Sequence, residues 1–197
     1  MAYILDGGPQ TGGLREEIDS VILLHTSENA PRTSCLALAV YIRDRRNIDG
    51  SYGSYHSLSD CFGDGMQLAG LSLKVWHAPA LNGSSLSHSF VTRAADWNKL
   101  PKQDRENILR SGAERCHKMS RWLVSQGKPA VQARLLNAEQ AKAGYPGFTT
   151  HAAVQPVDRT DPGRDFPWDE FFAYFRSYER GAAGVKPVAA EKSAHKG

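Results

Sequence analysis

The chain has 197 residues, which is room for one compact domain with short flanking segments. Its apolar content of 41% and charged content of 23% are typical of a globular protein and exclude a disordered chain. A net charge of +3 falls well short of the clustered basic charge of a nucleic-acid binder, so we expect no nucleic-acid partner. No stretch approaches the roughly 18 apolar residues that a membrane span needs, so we expect no stable membrane insertion.

The cysteines and the first residues indicate where the chain is made. Cys35, Cys61 and Cys116 are odd in number and show no paired spacing, so we expect reduced, buried thiols rather than a disulfide framework. The opening stretch MAYILDGGPQ lacks the basic start and the continuous apolar run of a secretory signal peptide. The sequence therefore predicts synthesis in the cytoplasm without a signal peptide.

The first half of the chain predicts alternating strands and helices. Residues 1–20 are Gly-rich and polar, which favours an N-terminal extension without regular structure. The continuous apolar run at 21–24 predicts a buried strand, and His25 stands at its end. A helix is expected to follow and to end near residue 47, because its apolar positions recur at helical spacing and its end is basic. Residues 55–59 and 66–69 then predict a hairpin around a Gly-Asp-Gly turn.

The second half begins with a strand candidate at 87–91 and continues with a long helix within 101–126. Residues 130–136 are a further strand candidate, followed by a short helix that Asn137 caps and that the glycines at 144–147 end. A last amphipathic helix is predicted at 168–178. Residues 181–197 shift to Ala, Lys, Gly and Pro, which predicts a flexible tail or a linker remnant. The alternation predicts a single α/β domain at residues 21–180.

Two histidines and one aspartate form a candidate metal site. His25 and His151 lie at a strand end and in a loop, where a rigid element can fix an imidazole without covering it completely. Asp161 follows His151 by ten residues, in a Pro-Gly turn that can bring it back to the same point. Two imidazoles and one carboxylate leave a fourth position open, as in a catalytic zinc site. From spacing alone, the more common interpretation is that both histidines are simply hydrogen-bonded and that the Asp-Pro-Gly turn is an ordinary one.

Four stretches of the sequence together resemble one known family. They are VILLHTSENAP, SYHSLSD, WHAPALNGSSLSHSF and THAAVQPVDRTDPGRDF. This set is similar to the zinc-dependent N-acetylmuramoyl-L-alanine amidases, a family that includes phage lysozymes and the peptidoglycan recognition proteins. The likeness covers residues 20–178, and its specific parts are the His after the first strand, the Tyr-His pair and the late His followed by basic-x-Asp-Pro-Gly. It implies a central mixed β-sheet flanked by helices.

The resemblance also implies roles for individual residues. His25, His151 and Asp161 match the three ligands of a catalytic Zn²⁺. Tyr55 matches a tyrosine near the water that is activated for attack. Arg159 matches a position where catalytic relatives often carry Lys, and a planar guanidinium is not equivalent to an ammonium group.

The resemblance also implies that the stretch containing His77 and Asn82 lines the substrate groove, and His88 is a further candidate for substrate binding. Whether His88 points into the groove depends on one residue of strand register. Ser89 stands where some relatives place a catalytic Glu, which leaves Tyr55 as the expected partner of the water. Tyr55 could instead be a half-buried strand residue whose hydroxyl bonds to the backbone.

The expected function is hydrolysis of the amide between N-acetylmuramic acid and L-alanine in bacterial peptidoglycan, by a monomeric phage endolysin. Such an enzyme is made in the host cytoplasm and reaches the cell wall when a holin opens the membrane. Two alternatives stay open at this point. One is a peptidoglycan-binding module without catalysis, and the other is an intracellular amidase that recycles muropeptides.

Overall fold

The computed structural model describes residues 4–5, 8–15 and 17–181, so the expected tail at 181–197 lies outside the described residues except for Gly181. The strands are β1 (Thr11–Leu14), β2 (Val21–Thr26), β3 (Ser57–Ser59), β4 (Gly65–Gln67), β5 (Leu73–Val75), β6 (Leu86–Phe90) and β7 (Gly147–Thr150). The helices are α1 (Cys35–Asp49), α2 (Lys102–Ser125), α3 (Ala138–Lys142), α4 (His151–Val154) and α5 (Trp168–Glu179), with a 3₁₀ helix at Trp97–Lys99.

Five strands form one mixed sheet in the order β4-β3-β6-β2-β7. Strands β3, β6, β2 and β7 run parallel, and β4 pairs antiparallel with β3 at the edge. All six residues of β2 are buried, because a strand in the middle of a parallel sheet is covered on both faces. The continuous apolar run at residues 21–24 therefore correctly predicted a buried strand.

Helices cover both faces of this sheet. Helices α2 and α5 pack on one face around an aromatic core, in which Phe90 and Phe148 of the sheet meet Phe171 of α5. Helix α1 and the turns around Ala78 cover the other face. This architecture confirms the expected α/β domain with a central mixed sheet flanked by helices.

Helix α2 approaches the sheet closely at Gly112. A Cβ atom at this position would lie 2.5 Å from Cε1 of Phe90 and 3.0 Å from Nε2 of His88. Both distances are shorter than van der Waals contact. The missing side chain of Gly112 therefore lets the helix rest directly on the aromatic rings of β6.

The prediction of a strand at residues 130–136 is wrong. These residues make only an isolated bridge between Leu135 and Phe148, and most of them are exposed. The edge position beside β2 belongs instead to β7, which starts at Gly147. The glycines at 144–147 predict the end of a helix, and a short strand with only one large apolar residue gives no recognisable pattern in the sequence.

The segment expected as an N-terminal extension contains a strand. Strand β1 pairs antiparallel with β5 in a small second sheet. The buried Arg15 follows β1, and its guanidinium donates hydrogen bonds to the carbonyl oxygens of Leu71, Ser84 and Ser85. This part of the segment is therefore attached to the domain, and the domain boundaries at residues 21 and 180 stay a prediction.

The three cysteines are free and buried, as predicted. Burial raises the pKa of the Cys61 thiol to about 12 and raises those of Cys35 and Cys116 as well. Such thiols stay protonated and are poor nucleophiles.

Among the described helices, none combines the length and the apolar character that crossing a bilayer requires.

Candidate metal centre

The structure brings three candidate ligands from distant parts of the chain to one end of the sheet. His25 lies near the carboxyl end of β2, and His151 follows β7 directly as the first residue of α4. Because β2 and β7 are parallel neighbours, the residues at their carboxyl ends lie side by side. Asp161 returns from the loop after α4, and its carbonyl oxygen accepts a hydrogen bond from the backbone N–H of Ala152 at 3.0 Å.

The three side chains form a compact triangle of donor atoms. The Nδ1 atoms of His25 and His151 are 3.2 Å apart. The Oδ2 atom of Asp161 lies 3.0 Å from Nδ1 of His25 and 3.2 Å from Nδ1 of His151. All three residues are buried, and no second cluster of His, Cys, Asp and Glu side chains with this geometry occurs in the described ranges.

The triangle has the dimensions of a tetrahedral zinc site. When zinc binds imidazole nitrogen and carboxylate oxygen at about 2.0 Å, neighbouring ligand atoms are about 3.3 Å apart, the edge of a regular tetrahedron. The observed edges of 3.0 to 3.2 Å are close to that length. Two imidazoles and one carboxylate are also a donor set that leaves the fourth position open, as catalytic zinc requires.

The hydrogen bonding of His151 fits a metal in the same place. Its Nε2 atom lies 2.7 Å from Oε1 of Gln155, and a ring that donates its Nε2–H group to this oxygen presents the lone pair of Nδ1 to a metal. That lone pair faces the carboxylate of Asp161. A bound cation would be held by Nδ1 of His151 and the carboxylate of Asp161 together, and Gln155 would orient the imidazole.

The protonation states of His25 and Asp161 are those that metal binding requires. Burial lowers the pKa of His25 to about 4, although Asp161 partly opposes the shift, so the imidazole is neutral at pH 7. Burial by itself raises the pKa of the Asp161 carboxyl, but the neighbouring His151 and His25 lower it by more, and the group stays ionised. Neutral imidazole and ionised carboxylate are the metal-binding forms.

Tyr55 and Arg159 both lie close to the triangle. The ring of Tyr55 is 5.0 Å from the ring of His25. Burial raises the pKa of Tyr55 to about 12, and the charge of Asp161 adds to the shift, so the phenol stays protonated. Arg159 is exposed and, together with His151, lines a groove of about 420 Å³ between residues 76–82 and residues 151–159.

His77 and Asn82 line the same groove. The Oδ1 atom of Asn82 accepts hydrogen bonds from the backbone N–H groups of His77 and Ala78 at 2.8 and 2.7 Å. The His77 ring is buried, 5.7 Å from the ring of His25. Asn82 therefore shapes the turn that carries His77, and contact of either side chain with substrate stays a prediction.

The expectation that His88 faces the groove is wrong. Side chains alternate along β6, and Ser89, not His88, is the register partner of His25. His88 is fully buried under α2, and its two ring nitrogens lie 2.7 and 3.0 Å from the hydroxyl oxygens of Ser57 and Ser59. The imidazole is thus a structural part of the interface between the sheet and the helix.

Sequence reasoning missed two residues beside the centre. Gln155 follows His151 by four positions, the spacing at which helical side chains meet, and that spacing is a usable signal. Trp97 donates its Nε1–H group to the carbonyl oxygen of Pro162 at 2.7 Å, next to Asp161. Trp97 and Pro162 are 65 positions apart, and no local sequence pattern connects them.

Several solved structures share this fold at low sequence identity. The N-acetylmuramoyl-L-alanine amidase LysC from Clostridium intestinale is 17% identical, with 85% of this chain and 91% of LysC covered and a TM-score of 0.52. The Staphylococcus aureus hydrolase AmiA, solved in complex with its ligand, is 14% identical over 92% of this chain and 80% of AmiA, with a TM-score of 0.57. The endolysin of the Thermus scotoductus bacteriophage Ph2119 is 15% identical over 86% of this chain and 92% of the endolysin, with a TM-score of 0.56.

No protein-family model and no curated protein matches the chain at the level of sequence. The structural likeness defines the class of fold, which is the mixed α/β domain of N-acetylmuramoyl-L-alanine amidases and endolysins. It confirms the fold that the four sequence stretches predicted. Because the identities are low, the likeness shows the fold alone, and the chemistry has to be argued from the site.

Proposed function

We propose that this protein is a zinc-dependent N-acetylmuramoyl-L-alanine amidase, which hydrolyses the amide between N-acetylmuramic acid and the L-alanine of the peptidoglycan stem peptide. The observation that carries the proposal is the triangle of His25, His151 and Asp161, whose donor atoms are 3.0 to 3.2 Å apart. The fold shared with the amidase LysC supports peptidoglycan as the substrate class.

In this proposal the triangle holds the ion and the groove presents the amide. Zinc, when bound, supplies Lewis acidity, which polarises a carbonyl group and makes water acidic enough to lose a proton near neutral pH. One ionised carboxylate, Asp161, and two neutral imidazoles balance only part of the charge of a divalent ion. The site therefore stays electropositive where negative charge develops on the attacked carbonyl oxygen.

Tyr55 and Arg159 have complementary roles. The protonated phenol of Tyr55, close to His25, can donate a hydrogen bond to the developing oxyanion or pass a proton towards the leaving amine of L-alanine. The guanidinium of Arg159 offers several N–H donors in a planar fork, so in this proposal it binds anionic groups. Its ion pair with Asp158 is long, at 3.8 Å, and exposed, which leaves the guanidinium available to substrate.

The likeness to the Ph2119 endolysin supports a role in phage-induced lysis of the host cell. The enzyme would then act as a monomer on the intact wall, after a holin opens the membrane. An amidase that recycles wall fragments would act on small soluble muropeptides and leave intact sacculi untouched. A binding module would hold peptidoglycan without cleaving it.

Zinc content and wall cleavage, measured on the same preparation, test the proposal. We expect the wild type to hold stoichiometric zinc and to release L-alanine amino groups from purified sacculi. His151→Ala removes one ligand and is expected to lose both properties while keeping its far-ultraviolet circular dichroism. His117→Ala is the matched control, because this imidazole lies on α2 and stacks on Tyr178 of α5, away from the triangle.

The outcomes separate the alternatives. Full wall cleavage by His151→Ala would eliminate the candidate centre. Zinc binding without any release from sacculi or muropeptides would identify a binding module. Release from soluble muropeptides alone would identify a recycling enzyme.

A further inference from the structure

Residues 92–97 form a bridging segment between the two parts of the candidate metal centre. This segment follows β6 and ends at the first residue of the 3₁₀ helix. It contributes no ligand to the triangle. It nevertheless contacts both the end of β2, which carries His25, and the turn that carries Asp161.

Glu28 attaches the bridging segment to β2. The backbone N–H of Glu28 donates to the carbonyl oxygen of Thr92 at 3.1 Å. Its Oε1 atom accepts hydrogen bonds from the backbone N–H of Ala94 at 3.0 Å and from the hydroxyl of Thr26, the neighbour of His25. Glu28 has a φ of 58°, a left-handed conformation that is unfavourable for a residue with a side chain, so these contacts are what hold it there.

The other end of the segment holds the turn after Asp161. The indole Nε1–H of Trp97 donates to the carbonyl oxygen of Pro162 at 2.7 Å, and Trp97 is only 1% exposed. Gly163 has a φ of 107°, and a Cβ atom there would lie 2.2 Å from the carbonyl oxygen of Ala94. Two consecutive residues after Asp161 are thus in direct contact with the bridging segment.

The loop that leads to Asp161 needs the contacts that the bridging segment makes with it. Residues 156–160, which lead to it, are exposed, whereas His25 and His151 belong to or adjoin strands in the sheet. The indole of Trp97 is itself fixed, because its ring packs 5.4 Å from Phe90 and 4.9 Å from Phe166. The rigid indole therefore helps to set the position of the turn, together with the hydrogen bond from the backbone N–H of Ala152 to the carbonyl oxygen of Asp161.

We propose that Trp97 is a positioning residue of the metal centre, which presets the 161–163 turn so that Asp161 meets His25 and His151. Glu28 is the second positioning residue, because it fixes the bridging segment on the strand that carries His25. This inference rests on the proposed zinc function. A ligand that is already in place loses less conformational freedom when the ion binds, and loss of such supporting contacts weakens metal binding by about 10- to 100-fold.

Trp97→Phe tests the role of the indole, since phenylalanine keeps an aromatic ring and removes the N–H donor. We expect the zinc affinity, measured by competition with a chelator, to fall by about 10-fold. The visible absorption bands of the cobalt-substituted protein should shift, because the geometry of the third ligand changes. Trp168→Phe is the matched control, because its ring lies in the same aromatic cluster, 4.6 Å from Phe166, and it should keep wild-type affinity and spectrum.

A folded Trp97→Phe protein with wild-type zinc affinity and cobalt spectrum would overturn the proposal. If that variant does not fold, Glu28→Ala and Glu28→Gln replace it, since only glutamine keeps the Oε1 acceptor. We expect weaker zinc binding in Glu28→Ala alone, and equal affinity in both would also overturn the proposal. The zinc titration of the wild type distinguishes failure of the proposed function from failure of the Trp97 proposal. A wild type that binds no zinc would reject the proposed function and, with it, the role of Trp97.

Discussion

At the scale of the residue, burial fixes the chemistry that is open to Tyr55. The phenol lies beside His25, and burial together with the charge of Asp161 raises its pKa to about 12 from an ordinary value near 10. Raising the pKa of an acid favours the protonated form, so the hydroxyl keeps its proton at every pH below about 12. Tyr55 can therefore donate a hydrogen bond throughout the working range and cannot serve as a base there.

Tyr55→Phe is expected to lower kcat by about 100-fold, because one donor to the developing oxyanion is lost. The ratio of wild-type to variant rates should stay constant between about pH 6 and about pH 10, since the phenol does not ionise in that interval. Initial rates on soluble muropeptides, with zinc content as the control, measure this ratio. Equal rates at all pH values would remove Tyr55 from the mechanism, and a ratio that varies with pH would mean that the phenol ionises in this range.

The residues of the site were predictable where each occupies a recognisable local position. His25 ends an apolar run, and Asp161 stands in an Asp-Pro-Gly turn, so both could be found in the sequence. The orientation of His88 could not, because a shift of one residue in strand register reverses the face of the sheet that a side chain occupies. The role of Trp97 could not be predicted for another reason, because its contact with Pro162 exists only after the chain has folded.

At the scale of the element, the contact between α2 and β6 depends on a missing side chain. Gly112 lies inside α2, where glycine costs roughly 1 kcal/mol relative to alanine. A Cβ atom there would lie 2.5 Å from the Phe90 ring and 3.0 Å from His88. The close packing of the helix on the sheet therefore outweighs the poor helix propensity of glycine.

Gly112→Ala is expected to destabilise the domain by about 2 kcal/mol, because overpacking at such short distances costs about 3 kcal/mol and the gain in helix propensity offsets about 1 kcal/mol. Urea unfolding at an unchanged m-value measures the effect as a lower midpoint. Gly83→Ala is the control, because a Cβ atom at Gly83 would have no neighbour within 4 Å and the backbone is not left-handed. A midpoint for Gly112→Ala at or above that of the wild type would show that α2 can move away from the sheet at no cost.

Long apolar patterns predicted α2 and β2 correctly, and turn and cap signals predicted the β3–β4 hairpin and the short helix α3. Helix α2 shows a sustained three- and four-residue apolar spacing, and β2 is continuously apolar. The short strand β7 at Gly147–Thr150 carries no such pattern, and it exists because β2 offers an unpaired edge for it. Residues 130–136 have strand-like composition, but β7 occupies the edge beside β2. Which segment pairs with that edge depends on tertiary contacts and cannot be derived from composition.

At the scale of the whole molecule, the proposed zinc ion joins three parts of the chain and should stabilise the native state. An ion that binds only the folded protein adds about 2.7 kcal/mol at 100 times its Kd. For a domain of this size that energy corresponds to a rise in Tm of about 5–10 °C. Calorimetry with zinc and with a chelator measures the difference.

The control for this experiment is His151→Ala, whose Tm should be the same with zinc and with the chelator. A wild type with one Tm under both conditions would contradict a zinc ion bound between His25, His151 and Asp161. A variant that responds like the wild type would instead place the ion elsewhere in the protein.

The arrangement of the whole fold was predictable because the four sequence stretches contain or adjoin the strands β2, β3, β6 and β7 of one sheet. The attachment of the N-terminal segment was not, because β1 is short, and its pairing with β5 and the three carbonyl contacts of Arg15 are long-range. A Gly-rich, polar stretch looks like a loop until its partner strand is known.

His25 and Asp161 are 136 residues apart, and this separation has a consequence during translation. A ribosome completes β2 long before it adds the last ligand, and a domain generally folds as a unit. Until the final third of the domain has emerged and docked, the growing polypeptide lacks the coordination sphere proposed here. Truncated products that end before Asp161 would lack one of the three proposed ligands, so under this proposal they would hold no catalytic zinc.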